Sequence, residues 1–189
     1  MDRRPGRPRS LSMELIVDAV LEDGIATFTM PSIAARLGVA HSGLYRYVED
    51  REELLVHAIE RAALSVDWPE ADLPWRDLLR EVTHSVWAIC ERYPGYDVVA
   101  LSPPKWPQRV VEQVTPYIAS LRDQGFTIED ATVAVQIAGN LALTTSVKGT
   151  VGAYPLSRRN GDSTTAARHD WHDRILDIVL DGLGDRILS

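Results

Sequence analysis

The chain has a single cysteine, Cys90. One thiol cannot close an intramolecular disulfide, and it offers no paired spacing for structural zinc or dithiol redox chemistry. A reducing cytoplasm is the expected setting. No run of about 18 apolar residues occurs, so no membrane-spanning helix is expected. The start, MDRRPGRPRSLSMELI, is basic but lacks the apolar stretch and cleavage site of a signal peptide. Alternating strand patterns of useful length and internal repeats are also missing. So are GxSxG, P-loop, GxGxxG, HExxH and Cys–His arrangements at useful spacing, and neither an enzyme nor a cofactor is expected.

Positive charge is scarce. The chain carries 27 acidic against 20 basic residues, a net charge of −7. Such a surface repels DNA over most of its area, so any nucleic-acid contact has to be local. Only RRPGRPR concentrates cations, with Arg3, Arg4, Arg7 and Arg9. Its Arg, Pro and Gly content predicts an arm that is disordered in isolation.

What is present is helical pattern. Hydrophobic residues make up 45% of 189, enough for a core. Leu15, Ile16, Ala19 and Val20 share one face of a first helix ending at Gly24. Thr29 reads as an N-cap with Pro31 in the first turn, and Ile33, Ala34 and Leu37 as the apolar face up to Gly38. A further short helix is expected over 41–47, and a longer one follows Asp50, which with Glu53 forms a variant capping box. The segment 67–74, DWPEADLP, reads as a linker. Helices are then expected from Trp75 to Tyr93, over 108–123 with a kink at Pro116, over 128–151, and through Trp171 to Ile187. YPGYDVVALSPPKWP reads as an irregular break. The 128–151 helix is apolar nearly all round and is expected to be buried on more than one side. The fold class is all-α. The division predicted is a DNA-binding head over 1–66, the linker over 67–74, and a body over 75–189.

The stretch TMPSIAARLGVAHSGLYRYVEDREELL, Thr29 to Leu55, carries the chemistry. Ala34, Gly38 and Leu44 stand at offsets 0, 4 and 10, the spacing of a helix-turn-helix. Small Ala34 lets two helices cross closely, Gly38 can take positive φ in the turn, and Leu44 packs back to fix the crossing angle. The second helix is then free to enter a major groove with its N-terminal residues toward the bases. Helix N-termini add dipoles and N–H groups that face phosphates.

The string T-x-x-x-I-A-x-x-L-G-V-x-x-x-x-L-Y-x-Y-V-x-x-R-E-E-L-L resembles the N-terminal domain of TetR-family transcription regulators. The resemblance covers residues 12–62; the rest is similar in helical architecture only. It implies phosphate contacts from Thr29 and Ser32, and His41, Ser42 and Gly43 at base edges. It implies backbone contacts from Tyr45 and Tyr47, with a base also in reach of Tyr45. Arg51 stands where the family usually has a phosphate-binding lysine. It further implies a homodimer, a pseudo-palindromic double-stranded operator, and a body that binds a small-molecule effector. There are departures. The first helix is about a turn short, Pro31 replaces a polar or basic base reader, and Gly43 has no side chain. Readout then leans on His41, Tyr45, the arm and DNA shape.

In the body, Trp87 and Cys90 share a face with Thr83, while Asn140 and Thr144 share one with Val133, Ile137 and Leu141. Polar groups among apolar ones need partners. An effector site supplies them, and bonds within the core or across a dimer interface account for them equally well. Trp106 and Tyr117 are further wall candidates. In HDWHD, 169–173, His169, His172 and Asp173 have metal-ligand character. Without further ligands nearby, a polar helix N-terminus is the preferred reading. The favoured function is a ligand-responsive repressor; the alternative is a DNA-binding regulator whose body only dimerises or docks a partner protein.

Overall fold

The computed structural model describes residues 11–146 and 165–187, which form nine helices and no strand among them. The arm arginines Arg3, Arg4, Arg7 and Arg9 lie outside the described residues. The head consists of α1 (Met13–Asp23), α2 (Met30–Leu37), α3 (His41–Leu44) and α4 (Arg51–Ala63). The body consists of α5 (Trp75–Arg92), α6 (Tyr96–Ala100), α7 (Gln108–Asp123), α8 (Ile128–Ser146) and α9 (Thr165–Ile187).

The helix boundaries follow local chemistry. The Ser12 side chain accepts from the Leu15 amide and starts α1. Thr29 and Ser32 cap α2 reciprocally, each side chain accepting the other's backbone N–H. Asp50 accepts from the Glu53 amide at α4. α2 stops because Gly38 turns left-handed at φ 66°, a conformation a side chain disfavours. The expected helix over 41–47 is α-helical only to Leu44; 45–47 form a turn. The irregular stretch after Tyr93 contains α6, which begins after Gly95 at φ 93°. Pro116 lies inside α7.

The most extensive helix pairing is α5 with α8. Ala131, Ala134, Ala138 and Ala142 are all buried on α8, and such small side chains let the two helix axes approach closely. The opposite face of α8 departs from expectation. Thr132, Val133, Gln136, Asn140 and Thr144 are exposed, so α8 is buried on one side only in the chain. Ile128 and Val133 are apolar and about half exposed, at 49% and 48%.

Two hydrophobic clusters make the interior. One runs without interruption from Ile16, Leu44, Leu54 and Ile59 in the head to Trp87, Cys90, Tyr96 and Leu143 in the body. The other joins Leu78, Leu79, Tyr117, Leu121, Phe126, Leu176 and Leu180. The 67–74 segment is tied to both sides. Trp68 Nε1 donates to Ala63 O at 2.9 Å, Ser85 Oγ to Asp67 O at 3.0 Å, and Tyr117 Oη to Pro69 O at 3.0 Å. α5 and α9 run antiparallel and are joined along their edge by Arg76–Asp181 at 3.0 Å, Arg80–Asp177 at 2.7 Å, His84–Asp173 at 3.5 Å and Glu91–His169 at 3.2 Å.

The junction of α6 with the head is close. A Cβ added at Gly95 would stand 2.9 Å from Ala26 Cβ, in the loop after α1. Gly95→Ala is expected to destabilise by more than about 1 kcal/mol, through positive φ and contact together. Urea denaturation of Gly95→Ala and of Gly95→Ala with Ala26→Gly checks this: the second change should recover the contact part only.

Candidate DNA interface and effector site

α2 and α3 present the helix-turn-helix predicted from the spacing. Ala34 and Leu44 are buried, at 4% and 0% exposure, and hold the two helices together. His41, Ser42 and Tyr45 are exposed. The His41 and Tyr45 rings meet edge to face with centroids 5.1 Å apart, and Tyr45 Oη lies 3.4 Å from His41 Nε2. One helical turn separates them, so they act as a single aromatic and polar unit. A Cβ at Gly43 would meet nothing within 4 Å, so that backbone is open to a close approach. Arg46 is exposed beside this unit and was missed by the sequence reading. The signal for it was a cation one residue past Tyr45.

Other expected contacts are engaged in the fold. Ser32 Oγ donates to Asp23 Oδ2 at 2.7 Å, and Arg36 pairs with Asp23 at 3.1 Å and Glu22 at 3.4 Å. The Ser32 and Arg36 bonds hold the Asp23 carboxyl below its ordinary pKa. The N-terminus of α2 thus already faces a carboxylate, and a phosphate contact there competes with it. Tyr47 is half-buried and donates to Leu11 O at 2.6 Å, pinning the chain that leads into the arm. Arg51 donates from Nε to Phe28 O at 3.1 Å and from Nη2 to Ala26 O at 3.4 Å, with its guanidinium 4.4 Å from the Phe28 ring centroid. Its geometry is that of a residue holding α4 to the loop after α1.

In the body the structure unites two of the four expected effector residues and separates the other two. Trp87 and Cys90 are buried, at 3% and 8% exposure. Asn140 and Thr144 are exposed, on the face of α8 turned away from its buried alanines. The expectation of a buried Asn140–Thr144 face is corrected: they lie about half a helical turn from Ala138 and Ala142. The polar residue that does reach the Trp87 region is Thr145, whose Oγ1 lies 2.7 Å from His172 Nδ1. His172 is fully buried, and its ring centroid is 4.5 Å from that of Trp87; His169 packs 4.7 Å from Trp87. The reading of HDWHD as a helix N-terminus is also corrected, since α9 begins at Thr165. Among the described residues no group of three potential metal ligands forms. Trp106 is 44% exposed, and Tyr117 is buried in the second cluster.

The site's titration follows burial. Desolvation lowers His172 to about 4, against Asp173, which raises it. Desolvation pushes the Cys90 thiol up to about 12, although a hydrogen bond with Ser146 lowers it. Both groups are therefore neutral near pH 7, and the region is uncharged at its centre. A separate open cleft of about 630 Å³ lies between head and body, lined by His57, Glu60, Arg61, Arg92 and Arg109. It is polar and lies away from Trp87.

A helix-turn-helix head sharing one core with an all-helical body defines a class of DNA-binding regulators. Residues 16–58 match the family model of bacterial regulatory proteins, tetR family. The chain is 28% identical over 142 residues to the HTH-type transcriptional repressor DrrR1 of Streptomyces coeruleorubidus, covering 70% of this chain and 52% of that protein. It thus spans about half the length of the curated relative it matches. Two solved structures share its fold. A single-residue variant of TetR from Acinetobacter baumannii AYE, in complex with minocycline, has a TM-score of 0.77 and 19% identity, over 95% of this chain and 100% of that one. ActR of Streptomyces coelicolor in complex with actinorhodin has a TM-score of 0.72 and 17% identity, over 95% and 99%. The N-terminal part of the chain is thus similar to bacterial regulatory proteins of the tetR family, and the chain as a whole shares the fold of these two solved structures. No helix among the described residues is long and apolar enough to cross a membrane.

Arg51 and Arg46 should separate cleanly. Arg51→Ala is expected to cost about 1.5–3 kcal/mol of stability, since it removes charged hydrogen bonds to two carbonyls. Arg46→Ala should leave the melting temperature unchanged and weaken DNA binding. Calorimetric melting with DNA titration of each variant checks the pair. A second expectation concerns acid. His172 has a lowered folded pKa, so between its unfolded value near 6.5 and its folded value the unfolded chain binds more protons. Stability from this group is present above about pH 6.5 and is lost as pH falls toward 4. Urea midpoints from pH 7 to 5 should fall more steeply for the wild type than for His172→Phe.

Proposed function

We propose that the chain is a one-component repressor that binds a pseudo-palindromic operator as a homodimer and is released by a small, largely apolar effector. The supporting observation is the uninterrupted core from Leu44 and Leu54 to Trp87 and Cys90. A molecule that repacks Trp87 also repacks the surface on which α4 rests. The head, residues 1–66, would enter the major groove with His41, Ser42 and the Gly43 backbone at base edges and Tyr45 beside them. Arg46, Thr29 and the arginines of the arm would meet phosphates. The segment 67–74 would transmit motion from the body, 75–189, because it is bonded to both.

The dimer would form through α8 and α9. Val133 is 48% exposed, Trp171 47% and Ile178 66%, an apolar surface of the kind that marks an interface. Asn140 and Thr144 belong to this face. Pairing across a two-fold axis sets the heads about 34–36 Å apart, the spacing of successive major grooves. An effector that favours a body with another head spacing weakens DNA binding by its differential affinity for the two shapes. The minocycline and actinorhodin complexes of the two structural relatives support a ligand-responsive body.

The test starts with an operator selected from random DNA. Sedimentation at micromolar concentration should show a dimer. Removing residues 1–9 should weaken binding to all sequences and reduce the slope of log K against log salt, because four arginines are lost. The affinity of a bound compound should fall when operator is present, by the same factor by which the compound weakens operator binding. A compound whose affinity is the same with and without operator would overturn the switch.

A further inference from the structure

Two buried polar atoms lack a hydrogen-bond partner among the described residues: Trp87 Nε1 and His172 Nε2. Trp87 is 3% exposed and His172 0%, and their ring centroids are 4.5 Å apart. They come from different helices, α5 and α9. A protein core rarely leaves such groups unpaired, because each then carries its full desolvation cost. Two side by side point to a ligand that completes both.

The proton on His172 follows from Thr145. Thr145 Oγ1 lies 2.6 Å from Leu141 O and 2.7 Å from His172 Nδ1. Each contact needs a hydrogen, and the hydroxyl has one. A carbonyl oxygen has none, so the hydroxyl donates to Leu141 and accepts from Nδ1–H. Neutral His172 is then left with a bare lone pair on Nε2. Trp87 Nε1–H is a donor only. The site therefore offers one acceptor and one donor side by side, with Ile89 and Leu143 in the same apolar cluster.

We propose that this place between α5, α8 and α9 binds a neutral, largely apolar molecule through a hydroxyl group that donates to His172 Nε2 and accepts from Trp87 Nε1. The assignment rests on the effector reading above and names the chemical class of the effector. A hydroxyl both donates and accepts. A carboxylate, ketone or ether only accepts and faces the His172 lone pair with another. An ammonium only donates and leaves Trp87 unpaired. A hydrocarbon leaves both atoms unpaired. Entry is by the α5–α9 edge, where His84–Asp173 and Glu91–His169 are the rungs beside Trp87 and His172. These pairs are solvent-accessible and weak, so they open at little cost.

The test uses the full chain labelled with ¹⁵N. Long-range ¹H–¹⁵N spectra near pH 7.5 should show His172 as the Nδ1–H tautomer. Titrations then compare p-cresol and 2-naphthol with toluene, naphthalene, p-toluate and 2-naphthoate, by calorimetry and by the Trp87 indole and His172 Nε2 resonances. At least one hydroxyl compound should move both resonances and bind roughly tenfold or more tighter than its hydrocarbon and carboxylate counterparts. His172→Phe should abolish that preference. If this variant does not fold, Trp87→Phe, which keeps a ring and removes the donor, should reduce it. An Nε2–H tautomer in the free protein, equal affinity for the hydrocarbon, or a preference that survives these variants would overturn the assignment. A compound that binds without hydroxyl preference yet lowers operator affinity overturns this assignment and leaves the effector reading standing. No binding by any compound, with operator affinity unchanged throughout, overturns both.

Discussion

The close approach of α5 to α8 is the contact on which the body depends. α8 buries four alanines, at 131, 134, 138 and 142, and α5 is the helix it pairs with most extensively. Larger side chains there would hold the helices apart and open the core. With the alanines in place, Trp87 is buried, Thr145 follows on the same side of α8, and α9 lays His172 against both. The cost of the small residues is that they cover little apolar area themselves. Tyr96, Tyr117 and Trp87 supply bulk around them.

Several of the described arginines are engaged within the fold. Arg36, Arg76, Arg80 and Arg61 pair with carboxylates on neighbouring helices. These are exposed pairs and contribute little stability each; they set which edges of the helices face one another. Arg51 serves the interior of the head by binding two backbone carbonyls that the turn after α1 leaves without helical partners. Arg46 is an exposed cation just past α3. With a net charge of −7, any DNA contact has to be confined to a small, local set of positive charges.

Trp87 and the head share one core. A single cluster passes from α1 and α4 into α5, α6 and α8. Close-packed interiors move in discrete repackings more readily than by smooth deformation. Gly95 sits where α6 meets Ala26, and Ala26 O in turn accepts from Arg51. Body, turn and helix-turn-helix head are thus joined by direct contacts.

Sequence alone was enough for the all-helical class, the caps at Thr29 and Asp50, and the turn at Gly38. These rest on chemistry between residues a few positions apart, which a linear string displays. It was enough too for the helix-turn-helix, whose small, flexible and apolar positions have fixed spacing. Which polar residues meet was decided only by tertiary structure. Asn140 and Thr144 share a face with Val133 in sequence, but the alanine stripe turned that face outward and brought Thr145 in. Ser32 and Arg51 read as phosphate ligands from their place in the motif, and the packing of α1 against α2 and α4 gave them internal partners. His172 read as part of a polar helix N-terminus. The true start of α9 at Thr165 carried it two turns inward, against Trp87, because helical phase is set by where a helix begins and what it packs against.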